Sequence, residues 1–212
     1  MTNELTFLNR FTTIPFLIDL IVRRRLTLLN PESWEDYNDR VTMELYKTKK
    51  GSKSIYALCM TTKRETIHHW NAFANGTSGC CVEFNFGEFI SIVSKNKELS
   101  HGKTNYIKIG NLSSLTEDIE NLPYLKRQPF EPEQEYRIVI INNETQKISL
   151  DIPIELSCIK RITFNNKLPE SVFQSIKEIL IKIEPSLKNK ISHSTLYNNA
   201  TWTNYFEKQN GS

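Results

Sequence analysis

The stretch Leu125-Lys-Arg-Gln-Pro-Phe-Glu-Pro-Glu-Gln-Glu-Tyr-Arg-Ile-Val-Ile-Ile-Asn142 decides how this 212-residue chain is read. A loop carrying two prolines and three carboxylates runs into an apolar β-type segment, Tyr136 to Ile141. A Val/Ile-rich strand without alternation reads as buried on both faces. Glu133, Glu135 and Arg137 are then charges held at the mouth of a core. Glu133 and Glu135 are two residues apart, so an extended backbone points both to one face, with Arg137 continuing the row. Paired carboxylates beside a cation suit general-base or sugar-hydroxyl-binding chemistry. The same residues also describe a salt-bridged strand entrance, and the stretch alone names no reaction.

The composition sets the frame for that strand. Hydrophobic content of 39% and charged content of 24% are ordinary globular values and exclude wholesale disorder. The length predicts one domain with a substantial core. A net charge of +3 and a pI near 8.6 permit contact with a polyanion without demanding it. The basic runs, Arg23–Arg25 and Lys47-Thr-Lys-Lys50, read as solvated faces. Cys59, Cys80, Cys81 and Cys158 form no CxxC pair, so no zinc or other metal site is expected. All four sit in apolar runs, as small core residues in a reducing compartment do. The start Met1-Thr-Asn-Glu-Leu-Thr6 lacks a basic and apolar leader, and no run reaches membrane-spanning length. A cytoplasmic bacterial protein without membrane contact is the expectation.

Taken in order, Leu5–Arg10 reads as a strand. Thr13, Ile14 and Pro15 open a helix whose stripe is Phe16, Leu17, Leu20 and Ile21. Leu26–Asn30 is a strand closing at Pro31. Glu32–Asp39 is a polar loop, in which Glu35, Asp36 and Asp39 are read as solvated acids, and Lys47–Ser54 is a basic hairpin or loop. Strands are expected at Ser54–Met60, Cys80–Phe84, Tyr106–Ile109, Cys158–Phe164 and Lys190–Tyr197. Helices are expected at Arg64–Ala74, Phe86–Lys95, Ser113–Leu122 and Pro169–Ile183. Lys147–Ile152 is expected to form a hairpin with Tyr136–Ile141. The sum is an α+β single domain over residues 1–198, with a largely antiparallel, mixed sheet and packed helices, followed by a polar tail, 199–212, that frays.

Other chemistry has thinner support. Arg64 and His69 show an Arg-x4-His spacing used by helical ribonucleases, on a chain too rich in strands for that fold. Thr61 and Thr62 end a buried strand, where a hydroxyl bonds a ligand or caps the next helix. There is no GxGxxG, P-loop, GxSxG or HExxH. The apolar settings of the cysteines argue against a nucleophilic thiol.

Three blocks carry a family resemblance. They are Leu26-Thr-Leu-Leu-Asn-Pro-Glu-Ser-Trp-Glu-Asp-Tyr-Asn-Asp39; Ala57-Leu-Cys-Met-Thr61 with Trp70 and Gly79-Cys-Cys-Val-Glu-Phe84; and Lys126 through Glu133-Gln-Glu-Tyr-Arg-Ile138. Together, across about residues 5 to 165, they resemble the bacterial domain of unknown function 2971. Met60-Thr61 stands where that family has Phe-Ser, Phe73 where it has a helix tyrosine, and Tyr37 interrupts its Asn-Asp-Pro. A second resemblance supplies a chemistry. A basic residue on the first strand, a hydroxyl ending a middle strand and Glu-x-Glu on a late strand are similar to the Arg–Ser/Thr–Glu plan of ADP-ribosyltransferases. That resemblance implies an ADP-ribosyltransferase-like fold and NAD as substrate of a transferase or an NAD glycohydrolase. Arg10 would contact the phosphates, with Thr61 as the pocket hydroxyl, Glu135 as the catalytic carboxylate and Glu133 activating or positioning the acceptor. Trp70 and Arg137 would complete the binding set. It further implies a toxin or anti-phage effector, with a protein or nucleic-acid acceptor and an antitoxin or defence-system partner. The alternative is a non-catalytic module of such a system, with the Glu133/Glu135/Arg137 row structural and Trp34 and Tyr37 forming a partner surface.

Overall fold

The computed structural model describes residues 5–115 and 118–209. In chain order the elements are β1 (Phe7–Thr13), α1 (Ile14–Arg23), β2 (Arg25–Leu29), α2 (Tyr37–Lys49), β3 (Ser54–Thr61), α3 (Ile67–Phe73), β4 (Gly79–Asn85), α4 (Phe86–Val93), β5 (Leu99–Lys103), β6 (Asn105–Ile107), β7 (Leu125–Arg127), β8 (Glu135–Asn142), β9 (Ser149–Pro153), β10 (Ile159–Phe164), α5 (Glu170–Ile183), β11 (Ile191–His193) and α6 (Ala200–Gln209). Nine strands form one mixed, mostly antiparallel sheet. β11-β10-β4-β1-β3-β2-β9 run in sequence, and β8 pairs with both β3 and β5. The α+β expectation holds. No helix among the described residues is long and apolar enough to cross a membrane.

The sheet is split, and the split positions the site. β1 lies along β4 for its whole length, from Phe7↔Asn85 to Thr13↔Gly79, yet meets β3 only at Asn9↔Thr61. β2 meets β3 only at Leu29↔Ala57. Beyond Asn9 the strands diverge, so the Cys59 backbone groups, which face that edge, have no ladder partner on β1. The main core fills one face with Leu8, Leu58, Met60, Val82, Phe84, Ile138, Ile140 and Ile162. α1 covers it with Leu17, Leu20 and Ile21 while Phe16 stays 56% exposed, so its apolar stripe is narrower than the spacing predicts. α2 covers the other face through Met43 and Tyr46 against Ile55, Ala57 and Val139.

β8 is buried from Glu135 to Ile140, as its unbroken apolar run predicts. Both its edges are taken, by β3 from Thr61↔Glu135 to Ser54↔Asn142 and by β5 from Lys103↔Tyr136 to Leu99↔Ile140. The expected hairpin with Lys147–Ile152 therefore has no edge to occupy, and β9 pairs instead with β2, Leu26 opposite Ile152. Other boundaries also move. The polar run after Asp36 is helix α2, with the Asp36 carboxylate capping Asn38 N, and the expected basic hairpin is the end of α2 plus a turn at Gly51. α3 is shorter than Arg64–Ala74, and the last strand is only Ile191–His193. The expected helix Ser113–Leu122 is two 3-10 segments, Ile109–Ser114 and Ile119–Tyr124, with residues 116 and 117 outside the described set. The expected polar tail forms helix α6 up to Gln209, and residues 210–212 lie outside the described set. The four cysteines are free thiols, and burial pushes those of Cys59, Cys80 and Cys158 up to about 12.

Candidate active site at the split of the sheet

Register places a polar row across the sheet. Glu83 on β4 lies opposite Asn9 on β1, Asn9 opposite Thr61 on β3, and Thr61 opposite Glu135 on β8. Directly opposed side chains share a face with Cβ atoms about 5 Å apart. Four polar groups thus lie in one row across the sheet, all less than a tenth exposed. Glu83 is matched at its outer end by Arg161 Nη2 at 2.7 Å and Lys160 Nζ at 3.3 Å.

A cavity of about 50 Å³ opens where β1 leaves β3, lined by Asn9, Arg10, Phe11, Cys59, Met60, Thr61, His69, Phe73, Glu133 and Glu135. It shares Arg10, Phe11 and Phe73 with a wider cavity of about 320 Å³ that runs along the split past Thr12, Thr13 and Thr27. Arg10 takes the place of the missing ladder, donating from Nη1 to the freed Cys59 carbonyl at 2.6 Å. Among the described residues no carboxylate forms an ion pair with it. Burial lowers its pKa against the weak pull of Cys59, Cys80 and Glu135, so an anion in the cleft would be well placed to offset that cost.

The carboxylates are held from behind. Lys126 Nζ, on β7, lies 2.6 Å from Glu133 Oε2, 3.0 Å from Glu135 Oε1 and 3.5 Å from Asp39 Oδ2. Arg137 is fully buried, with Nη2 2.6 Å from Glu135 Oε2 and 2.7 Å from Asp39 Oδ2 and with Nη1 donating to the Pro123 carbonyl. Asp39 is therefore a buried member of this network and not the solvated loop acid expected. Five ionisable groups form one cluster, three acids and two bases.

Their pKa values separate for physical reasons. Burial raises the Glu133 carboxyl to about 7, outweighing the hydrogen bond and charge of Lys126, and the neighbouring Glu135 anion adds to the rise. Burial pushes on Glu135 too, but Arg137 and Lys126 together hold it below the ordinary carboxylate value. Two carboxylates whose environments push them apart, one a fixed anion and one poised near neutrality, are the pattern of a divided acid–base pair.

The main chain of Glu133 is clamped. Thr61 Oγ1 donates to its carbonyl at 2.7 Å, and His69 Nε2 reaches the same oxygen at 3.1 Å. A carbonyl only accepts, so Nε2 carries the proton and Nδ1 accepts from Thr66 Oγ1 at 2.7 Å. Burial lowers the His69 pKa and keeps this neutral form. Gln134 follows in the left-handed region at φ 45, which turns the chain from the 3-10 segment Gln128–Glu133 into β8.

Arg10, Thr61, Glu133 and Glu135 are thus brought to one cavity. Trp70 and Arg137 are not among its lining residues: Trp70 packs edge-on behind Phe11 with Nε1 on Glu65, and Arg137 lies beneath Glu135. Arg64 lies over the Phe7 ring and both ring nitrogens of His69 are engaged elsewhere, so among the described residues no hydrogen bond joins the two. The sequence assigns no site role to Asn9 or Lys126, and offers Asp39 as a solvated acid and His69 for another chemistry. Among the described residues no cluster of His, Cys, Asp or Glu is arranged to hold a metal ion.

No family model and no curated protein matches the chain. The backbone is similar to Thermus sp. 2.9 DarT in complex with ADP-ribosylated ssDNA, at 12% identity and a TM-score of 0.45, over 90% of this chain and 95% of that one. It is similar also to Thermus sp. 2.9 DarT in complex with NAD+, at 12% identity and a TM-score of 0.39, over 92% of this chain and 98% of that one.

Proposed function

We propose that the chain is an ADP-ribosyltransferase that consumes NAD as substrate and serves as a toxin or anti-phage effector. The observation that carries this reading is the convergence, on one cavity, of an arginine without an acidic partner among the described residues and two carboxylates of divided acidity. Arg10 binds the phosphates. Glu135, a fixed anion, lies beside the ribose as the C–N glycosidic bond breaks and its electron pair leaves with nicotinamide. Positive charge develops at the ribose only in the transition state, so an anion placed there stabilises that state more than the ground state. The acceptor nucleophile then bonds to the ribose carbon, and Glu133, ionised above about pH 7, takes its proton. Thr61 and His69 position Glu133 through its carbonyl, while Arg137 and Trp70 support Glu135 and Phe11.

The test is nicotinamide release from NAD by purified protein, alone and with single-stranded DNA or cell lysate, with Glu135→Gln alongside. DNA comes first because an ADP-ribosylated strand is what the Thermus protein was solved with. Release that disappears in a folded mutant supports a transferase or NAD glycohydrolase, and label transferred to an acceptor then separates the transferase and identifies that acceptor. A second reading has its own observation: Lys126 and Arg137 satisfy every carboxylate of the cluster, as a purely structural network would. A folded protein that releases no nicotinamide under any of these conditions favours a non-catalytic module of a defence or toxin–antitoxin system.

A further inference from the structure

The transferase reading leaves one polar group of the cavity without a role. Asn9 is 3% exposed and lines the inner cavity beside Arg10 and Phe11. Its amide orientation is fixed, because Nδ2 donates at 2.8 Å to the Lys63 carbonyl, an oxygen that cannot donate back. The remaining atom is therefore Oδ1. It is buried, and no group among the described residues donates to it. Across the row, Thr61 is committed to the Glu133 carbonyl and to Lys63 N, and Glu83 to Arg161, so neither neighbour supplies the donor.

Part of the cavity wall that Asn9 shares is aromatic, formed by Phe11, His69 and Phe73. Phe11 stacks on His69 with ring centres 5.2 Å apart and planes within 18°, and Phe73 tilts against His69 at 6.2 Å. At about 50 Å³ the inner space holds roughly four waters, enough for a small polar group carried on a ring. A buried acceptor in need of an N–H, set among aromatic rings, fits an aromatic primary amide.

We infer that Asn9 is the specificity-determining residue for the leaving group, its Oδ1 accepting a hydrogen bond from the carboxamide N–H of nicotinamide. The inference rests on the transferase reading for the identity of the ligand, but its geometry is independent of Glu135. An isosteric neutral ligand without N–H groups leaves Oδ1 unpaired, and one such hydrogen bond separates two ligands by about ten- to a hundredfold.

The experiment is calorimetric binding of nicotinamide and of 3-acetylpyridine, which carries a methyl ketone in place of the amide, to the wild-type chain and to Asn9→Leu. The expected result is tighter binding of nicotinamide by tenfold or more in wild type, with the ratio falling to near one in Asn9→Leu through loss on the nicotinamide side. A merely structural Asn9 would weaken both ligands alike and leave the ratio unchanged, which overturns the inference. If Asn9→Leu does not fold, wild type decides, since equal affinities there also overturn it. A mutant that weakens ADP-ribose while the ratio persists assigns Oδ1 to a ribose hydroxyl and overturns the amide assignment. The two readings fail separately. Amide selectivity without NAD turnover keeps Asn9 as the acceptor for an aromatic amide and sinks the transferase, whereas turnover without selectivity does the reverse.

Discussion

Lys126 Nζ lies 2.6 Å from Glu133 Oε2, with both side chains more than nine-tenths buried. The same ammonium reaches Glu135 and Asp39, so it is the cation that allows three acids to share one interior. Arg137 balances Glu135 and Asp39 but makes no ion pair with Glu133. Lys126→Met keeps the stem and removes the charge, leaving Glu133 facing Glu135 with no counter-ion between them. Losing one partner of a buried pair costs about 3–5 kcal/mol, and that loss is expected in urea unfolding at pH 7. A change below about 1 kcal/mol would mean that water already screens the cluster.

Gly79 opens β4 where the chain returns from α3. A Cβ there would lie 1.8 Å from the Ala74 carbonyl oxygen and 2.6 Å from its carbon, both main-chain atoms. That carbonyl is itself fixed by Asn165 Nδ2 at 3.0 Å, and Gly79 O accepts from Asn165 N at 2.9 Å. Neither side has a flexible tip to give. Gly79→Ala is expected to destabilise by about 3 kcal/mol or more, or to prevent folding, measured by thermal unfolding against wild type. An unchanged melting temperature would show that the α3–β4 turn can open.

How much of this was legible in the sequence follows from range. The apolar run Tyr136–Ile141 could be read because a doubly flanked strand needs no polar face, and Glu135 and Arg137 follow from its period of two. The partner of that run could not be read. Proximity in sequence favours a hairpin with Lys147–Ile152, whereas Ser54–Thr61 and Leu99–Lys103 arrive from far along the chain and take both edges. Asp39 was legible only as one acid among several, since its burial depends on Arg137, 98 positions away. α2 escaped because its polar composition hides the few residues, Met43 and Tyr46, that it buries. Asn9 carries no local signal, and its meaning comes from the divergence of β1 from β3. Lys126 stood inside a quoted block, but its contacts to three acids arise from folding.

The acidity of Glu133 gives a pH dependence of definite sign. Burial raises its folded pKa to about 7, whereas an unfolded glutamate titrates near 4.3, so the folded state holds that proton more tightly. Its contribution to stability is full below the unfolded value and is lost as pH rises through about 7. Asp39, raised by burial over the pull of Arg137 and Lys126, acts in the same direction. Glu135 is lowered and acts oppositely, its contribution being present above the ordinary value and lost in acid. His69 and His101, both lowered by burial, also favour the folded state more as pH rises. The clean readout is therefore the difference in unfolding free energy between wild type and Glu133→Gln from pH 4 to 8, which should turn against wild type as pH rises. If Glu133 is the base of the proposed transferase, NAD turnover should climb through about pH 7 in wild type as it ionises, and that limb should vanish in the mutant. A flat difference curve would place the Glu133 proton elsewhere in the cluster.

Arg10 separates binding from stability. Its guanidinium has no acidic partner among the described residues, and the Cys59 carbonyl at 2.6 Å is its one hydrogen-bond acceptor there. Burial already disfavours its charge, so replacing it by a neutral side chain of similar length removes a desolvated cation along with a single hydrogen bond. The two effects oppose, and Arg10→Met is expected to shift stability by no more than about 1 kcal/mol. If Arg10 holds the phosphates of NAD, the same change removes a charge-assisted contact present in ground and transition states alike. KM should then rise by about tenfold or more while kcat changes little. A fall in kcat at unchanged KM would move Arg10 from the phosphates to the reacting ribose, and a large loss of stability would make it a strut across the split of the sheet.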